Sequence, residues 1–192
     1  SNVPDALTRM EDDQSVVFLF IARIDYDKGI REILKAAKIM TEKNYTFRIN
    51  FCGNGPAKEW LIEEIVAQNL DASVTYQGVV SGDKKDEMFR SADVILLPSR
   101  HEAFPYTILE GFSYSHPVIS SPTGAIPDII SPGNDGFLVD STDYKTLAEK
   151  MIFFCDNKNE LFKMSKNARL KVLDNYSFKK MEDVFGSLYS RV

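Results

Sequence analysis

At 192 residues the chain falls in the size range of one globular domain. Hydrophobic residues make up 44% and charged residues 27%, with 10 Gly and 8 Pro, a balance that excludes disordered, collagen-like and low-complexity classes. The formal net charge of −5 lacks the basic footprint of a nucleic-acid binder or a polybasic membrane patch.

No apolar run approaches the roughly 18 residues of a membrane helix. The polar start carries no signal-peptide pattern, so a cytoplasmic domain without direct membrane contact is expected. The two cysteines, Cys52 and Cys155, lie far apart in apolar stretches without a Cys-x-x-Cys, which predicts reduced core thiols. With only two histidines besides, no metal site is expected.

Ser1-Asn2 reads as a tag remnant, and the polar stretch to Gln14 has no apolar period. Val16 to Ile21 (VVFLFI) is a short β-branched and aromatic run that predicts a strand covered on both faces. Gly29 to Lys43 spaces Ile30, Ile33, Leu34, Ala37 and Met40 as one face of a helix. Phe47 to Cys52 predicts a second strand. Lys58 to Asn69 predicts a helix with Leu61, Ile65 and Val66 on its apolar face. Strands follow at Val74 to Gln77, Val94 to Pro98, Pro117 to Ser121 and Gly136 to Val139. Between them lie helices over Asp83 to Ser91 and Tyr106 to Tyr114 and a short turn of helix after Pro127. Helices dominate from Asp143 onward.

About six near-continuously apolar strands alternating with helices define an α/β class: a doubly wound, Rossmann-like parallel sheet with helices on both faces. Right-handed crossovers bring every strand-to-helix loop to one edge, where ligands of such sheets bind. The first of these loops, Ala22 to Gly29, sets Arg23 and Lys28 beside a helix start, a candidate anion cradle as well as two ordinary solvated cations. In the second, Gly53 and Gly55 bracket Asn54 ahead of Pro56. A tight turn is the simpler reading there, because the third glycine of a dinucleotide fingerprint is missing. In the third, Gly78 and the backbone of Val79 and Val80 could meet a base edge.

The fourth loop, Pro98 to Gly111, places Glu102 in a loop and Glu110 eight positions later, inside the next helix. The first turn of that helix would offer the amides of Phe104, Tyr106 and Thr107 to an anion, Pro105 having none. A carboxylate beside an anion site with another one to two turns beyond suits a phosphate flanked by two sugars. A capping Glu102 and a solvated Glu110 is the competing structural reading. His101 has no evident nucleophile partner and reads as a bystander.

Taken in order, these motifs resemble the C-terminal, donor-binding half of retaining glycosyltransferases of family 4, with the two-domain GT-B fold (glycosyl transferases group 1). The likeness runs through Ala22-Arg23 with Lys28-Gly29, Gly53-Asn54-Gly55-Pro56, Ala92-Asp93-Val94, Pro98-Ser99, and Glu102 with Glu110. It continues through Pro117-Val118-Ile119, Gly124 with Ile126-Pro127, and Gly133 to Val139. Ala22, Ala103 and Pro105 stand where many members carry Gly, and Asp128 where Glu is commoner.

The resemblance implies that Arg23 and Lys28 hold a donor diphosphate, with Glu102 facing the donor sugar as part of the catalytic set. Glu110 would accept the ribose hydroxyls. Phe104, Pro105, Tyr106, Thr107, Gly53, Asn54, Gly78 and Val79 would complete the substrate-binding surface. It further implies a nucleoside-diphosphate sugar as donor (UDP-linked as the first expectation) and hexosyl transfer with retention, using neither metal nor cofactor. A sugar or lipid-linked acceptor would be supplied through an N-terminal domain not in this sequence. Residues 1–15 would then be a tag remnant and interdomain tail, and 16–192 the donor lobe. A nucleotide-sugar 2-epimerase of the same architecture and a non-catalytic doubly wound binding module are the alternatives. The first strand ends in Ala22-Arg23 rather than in the clustered acids of a receiver domain.

Overall fold

The computed structural model describes residues 15–102 and 106–175. Six strands, β1 (Val16–Ile21), β2 (Phe47–Cys52), β3 (Val74–Gly78), β4 (Val94–Leu97), β5 (Val118–Ser120) and β6 (Gly136–Leu138), form one sheet in the order β3-β2-β1-β4-β5-β6. Every pairing is parallel. The helices are α1 (Ile30–Glu42), α2 (Lys58–Ala67), α3 (Gly82–Ser91), α4 (Tyr106–Ser113), α5 (Ile126–Ile129), α6 (Tyr144–Asp156) and α7 (Lys158–Asn175), with a 3-10 turn at Tyr26–Lys28.

Alternate residues of β1 feed two cores. Val16, Phe18 and Phe20 pack with Ile49 and Phe51 beneath α1, α2 and α6, through Ile33, Leu34, Met40, Leu61, Met151 and Phe154. Leu19 joins Ile95, Leu97 and Val118 under α3 and α4, with Phe89, Ile108, Phe112 and Ala168 of α7. The period-2 geometry of a strand divides the central run between the layers, and this double burial explains its lack of polar residues.

Local sequence sets the ends of the elements. Gly29, at φ 77°, opens α1, and left-handed Asn44 and Asn69 follow α1 and α2. The side chain of Asp143 accepts the amide of Thr146 and so caps the start of α6.

Two expectations need correction. Helices cover both faces of the sheet, but its strands are not all near-continuously apolar: Arg48, Asn50, Thr75 and Gln77 of β2 and β3, with Ser73 and Ser91, line an open groove of about 550 Å³. The alternation in FRINFC records this half-open position: Phe47, Ile49 and Phe51 pack into one core, Arg48 and Asn50 face the groove, and of this strand only Cys52 joins the opposite core. Val66 is 62% exposed and does not join the α2 face. It lies about 100° around the helix from Ile65, which α2 does bury.

Candidate functional site

The chain leaves β1 toward β2 on one side and β4 toward β5 on the other. This reversal opens a crevice beyond the carboxyl ends of β1 and β4, where sheets of this kind take ligands. The loops there are pinned backbone to backbone. After β1, Asp25 caps the 3-10 turn by accepting the Asp27 amide at 3.4 Å. The turn ends at Gly29, where an added Cβ would lie 2.3 Å from the Pro98 carbonyl oxygen. The Arg100 amide donates to the Asp27 carbonyl at 2.7 Å, joining the first and fourth loops again.

This seam delivers Lys28 to Glu102, Nζ to Oε2 at 2.7 Å, with Nζ also donating to the His101 carbonyl at 3.3 Å. The two side chains are 23% and 17% exposed, so the pair is reachable yet partly shielded from solvent. Arg23 takes a different place. Its side chain is 66% exposed at the rim, 3.5 Å from Asp25, so the two cations do not converge on one point in this state. His101 contributes its carbonyl to the pair.

The Gly-Asn-Gly turn after β2 is scaffolding for the first loop. A Cβ on Gly53 would meet the Ala22 carbonyl oxygen at 2.0 Å, and one on Gly55 the Ile24 oxygen at 2.2 Å. The Ile24 amide donates to the Asn54 carbonyl at 3.0 Å, and the Tyr76 hydroxyl donates to the Gly53 carbonyl at 2.7 Å. Gly78, at φ 75°, receives the Gly53 amide at 2.8 Å. Its neighbour Val79 is 68% exposed at the same edge.

Helix α4 closes the far side. Thr107 donates to the Ile21 carbonyl at 3.4 Å, fixing the first turn of α4 over the end of β1. A Cβ on Gly111 would meet the Ile95 side chain at 2.6 Å, so α4 lies close against β4. Tyr106 is exposed at the start of the helix. Glu110 projects from α4 onto Lys85 of α3, Oε1 to Nζ at 2.5 Å, beside a cleft of about 300 Å³. Asp128, on α5, is exposed. Phe104 and Pro105 lie outside the described residues, as does the stretch 1–14.

Sequence reasoning gave no role to three groups here. Lys85 gave no signal because its contact crosses between two helices. Arg100 Nη2 lies 3.3 Å from Glu32, a carboxylate of α1 whose other oxygen is buried without a partner. Ser99 is fully buried at the end of β4 with an unpaired Oγ, while its carbonyl accepts from Ser121 at 2.7 Å. Asp25, Glu32, Glu102 and Glu110 thus each sit against a cation. Among the described residues, no cluster of three or more His, Cys, Asp or Glu is placed to hold a metal ion. Likewise, no helix among them is long and apolar enough to cross a membrane.

The strand order, the crevice and its charged rim define a Rossmann-like domain with a charged carboxyl edge. Comparison with known proteins gives the family: residues 9–171 match the family described as glycosyl transferases group 1, and the chain belongs to it.

The chain is 28% identical over 158 residues to the 2-deoxystreptamine N-acetyl-D-glucosaminyltransferase of Niallia circulans, covering 82% of this chain and 41% of that protein. It is 25% identical over 181 residues to the alpha-D-kanosaminyltransferase of Streptomyces kanamyceticus, covering 94% and 47%. It therefore spans less than half the length of these relatives.

Among solved structures, HepE of Anabaena in complex with UDP superposes with a TM-score of 0.84 at 15% identity, over 100% of this chain and 54% of that one. The C-terminal domain of the glycosyl transferase group 1 protein LpcC of Francisella tularensis does so with a TM-score of 0.79 at 21% identity, over 93% and 94%. These likenesses establish the fold as one lobe of the GT-B architecture.

Proposed function

We propose that this chain is the donor lobe of a metal-independent hexosyltransferase that takes a nucleoside-diphosphate sugar, with UDP as its carrier, and acts in glycan assembly with retention of configuration. The observation that carries the reading is the Lys28–Glu102 pair, held by an interlocked main chain in the crevice between β1 and β4. Family membership and the named transferases among the relatives support it.

In this reading the diphosphate takes Lys28 and draws Arg23 in from the rim, and Glu102 is released to accept hydroxyls of the donor sugar. Glu110 receives the ribose. As the glycosidic bond breaks, the leaving diphosphate gains negative charge. Cations and amides already aimed at it stabilise the transition state more than the ground state. The acceptor enters through the remainder of the protein, and transfer requires that remainder. The free thiols Cys52 and Cys155 support a cytoplasmic setting.

Calorimetric titration with UDP, GDP and ADP in metal-free buffer, alongside Arg23→Ala and Glu110→Ala, tests the reading. The expected result is binding of UDP over the others, weakened by both substitutions. Equal silence toward all three nucleotides at millimolar concentration would sink it.

A further inference from the structure

We propose that Lys85 is a positioning residue for the nucleotide site: it holds the Glu110 carboxylate in the orientation that receives the ribose. The inference rests on the function proposed above.

Glu110 extends from the middle of α4 and is 41% exposed in its side chain, so without a partner it would sample several rotamers in solvent. Lys85 Nζ sits 2.5 Å from Oε1, on the side of the cleft formed by α3. Lys85 is itself constrained, with its ammonium 5.8 Å from the Phe89 ring centroid. Its sequence neighbour Asp86 accepts the hydroxyl of Tyr114, four residues beyond Glu110 and just past the end of α4, and Tyr114 stacks on Phe89 with ring centroids 4.9 Å apart. Two successive residues of α3 therefore hold Glu110 on α4 and Tyr114 just past its end.

This arrangement occupies one carboxylate oxygen with a charge-assisted bond. Oε2 and the remaining lone pair of Oε1 stay available to two adjacent hydroxyls. A vicinal diol fits such an acceptor, and a deoxyribose offers it one hydroxyl fewer. Lys85 acts by fixing Glu110, so its removal should blunt the distinction between ribose and deoxyribose more than it weakens nucleotide binding as a whole.

The test compares UDP with 2′-deoxy-UDP on the 192-residue chain as wild type, Lys85→Met and Lys85→Arg, with thermal melting of each. In Lys85→Met, UDP affinity is expected to fall by about fivefold, the scale of one half-exposed ion pair. The preference for UDP over its deoxy analogue should fall toward unity, with Lys85→Arg restoring it and all three melting alike. A Lys85→Met variant that binds UDP with the wild-type preference for ribose overturns the proposal. Wild-type protein that binds UDP and 2′-deoxy-UDP equally also overturns it, while leaving the nucleotide reading intact. Wild-type protein that binds neither at millimolar concentration fails the nucleotide reading itself, and the role of Lys85 falls with it.

Discussion

Lys28 and Glu102 neutralise one another at 2.7 Å, so any phosphate that reaches Lys28 must first displace a carboxylate. Removing that competitor should help the phosphate. Glu102→Gln is expected to tighten UDP by about fivefold, matching the loss of about 1 kcal/mol of competing attraction, and to abolish any extra affinity that a UDP-sugar has over UDP. Paired calorimetric titrations read both effects, and weaker UDP binding by the variant would refute the exchange. At Gly29 backbone conformation decides the outcome. Its φ of 77° and the Pro98 oxygen 2.3 Å from a would-be Cβ make Gly29→Ala doubly unfavourable. A loss of about 2–3 kcal/mol in urea unfolding is expected, and a loss below 0.5 kcal/mol would show that the seam yields easily.

Among the elements, α7 is tied to the body of the domain by a buried charge. Lys171 of α7 pairs with Asp135, which is fully buried just before β6, and also donates to the Ile129 carbonyl and the Ser131 hydroxyl, each at 2.8 Å. Lys171→Met strands the Asp135 carboxylate and should cost about 3–5 kcal/mol in denaturant unfolding. The α3–α4 clamp has its own pH signature. Hydrogen bonding from Tyr114, then from Arg90, holds the Asp86 carboxyl below its ordinary range. A depressed carboxyl pKa stabilises the fold above its unfolded value, and the contribution fades as pH falls through the folded value. Tyr114→Phe should therefore lower the melting temperature at pH 7, with the gap to wild type closing below about pH 4, the range where free Asp titrates. The elements themselves were readable from sequence, since hydrophobic period, glycines and asparagines mark where each begins and ends. The Lys28–Glu102 pair was half readable: the spacing placed both residues on one edge, while their direct contact depends on the Gly29–Pro98 approach. Lys85 and Arg100 were not readable, because their partners are set by which helices the crossovers lay side by side.

For the whole molecule, the strand order puts β1 and β4 at the centre and leaves β2 and β3 half open, so interior and surface differ sharply across one sheet. The polar residues of β2 and β3 carry that asymmetry in the sequence, legible only once the order of the strands is known. Of the two expected core thiols, Cys52 is fully buried and Cys155 only partly so, packed against the core from its edge. Burial pushes each thiol up to about 11, leaving roughly one molecule in ten thousand as thiolate at neutral pH. Alkylation by iodoacetamide should be slow in the native chain and rapid for both thiols across the urea transition, and fast native labelling would contradict this core. The main chain of the crevice is fixed by the close approach of Gly29, Gly53 and Gly55 to carbonyl oxygens of neighbouring loops, an approach that any added Cβ would block. Residues at the rim, such as Arg23, Val79 and Tyr106, can then be exchanged during evolution without shifting the frame that carries them. A scaffold of that kind separates inheritance of shape from inheritance of preference, and lets one backbone diversify toward many ligands by surface substitution alone.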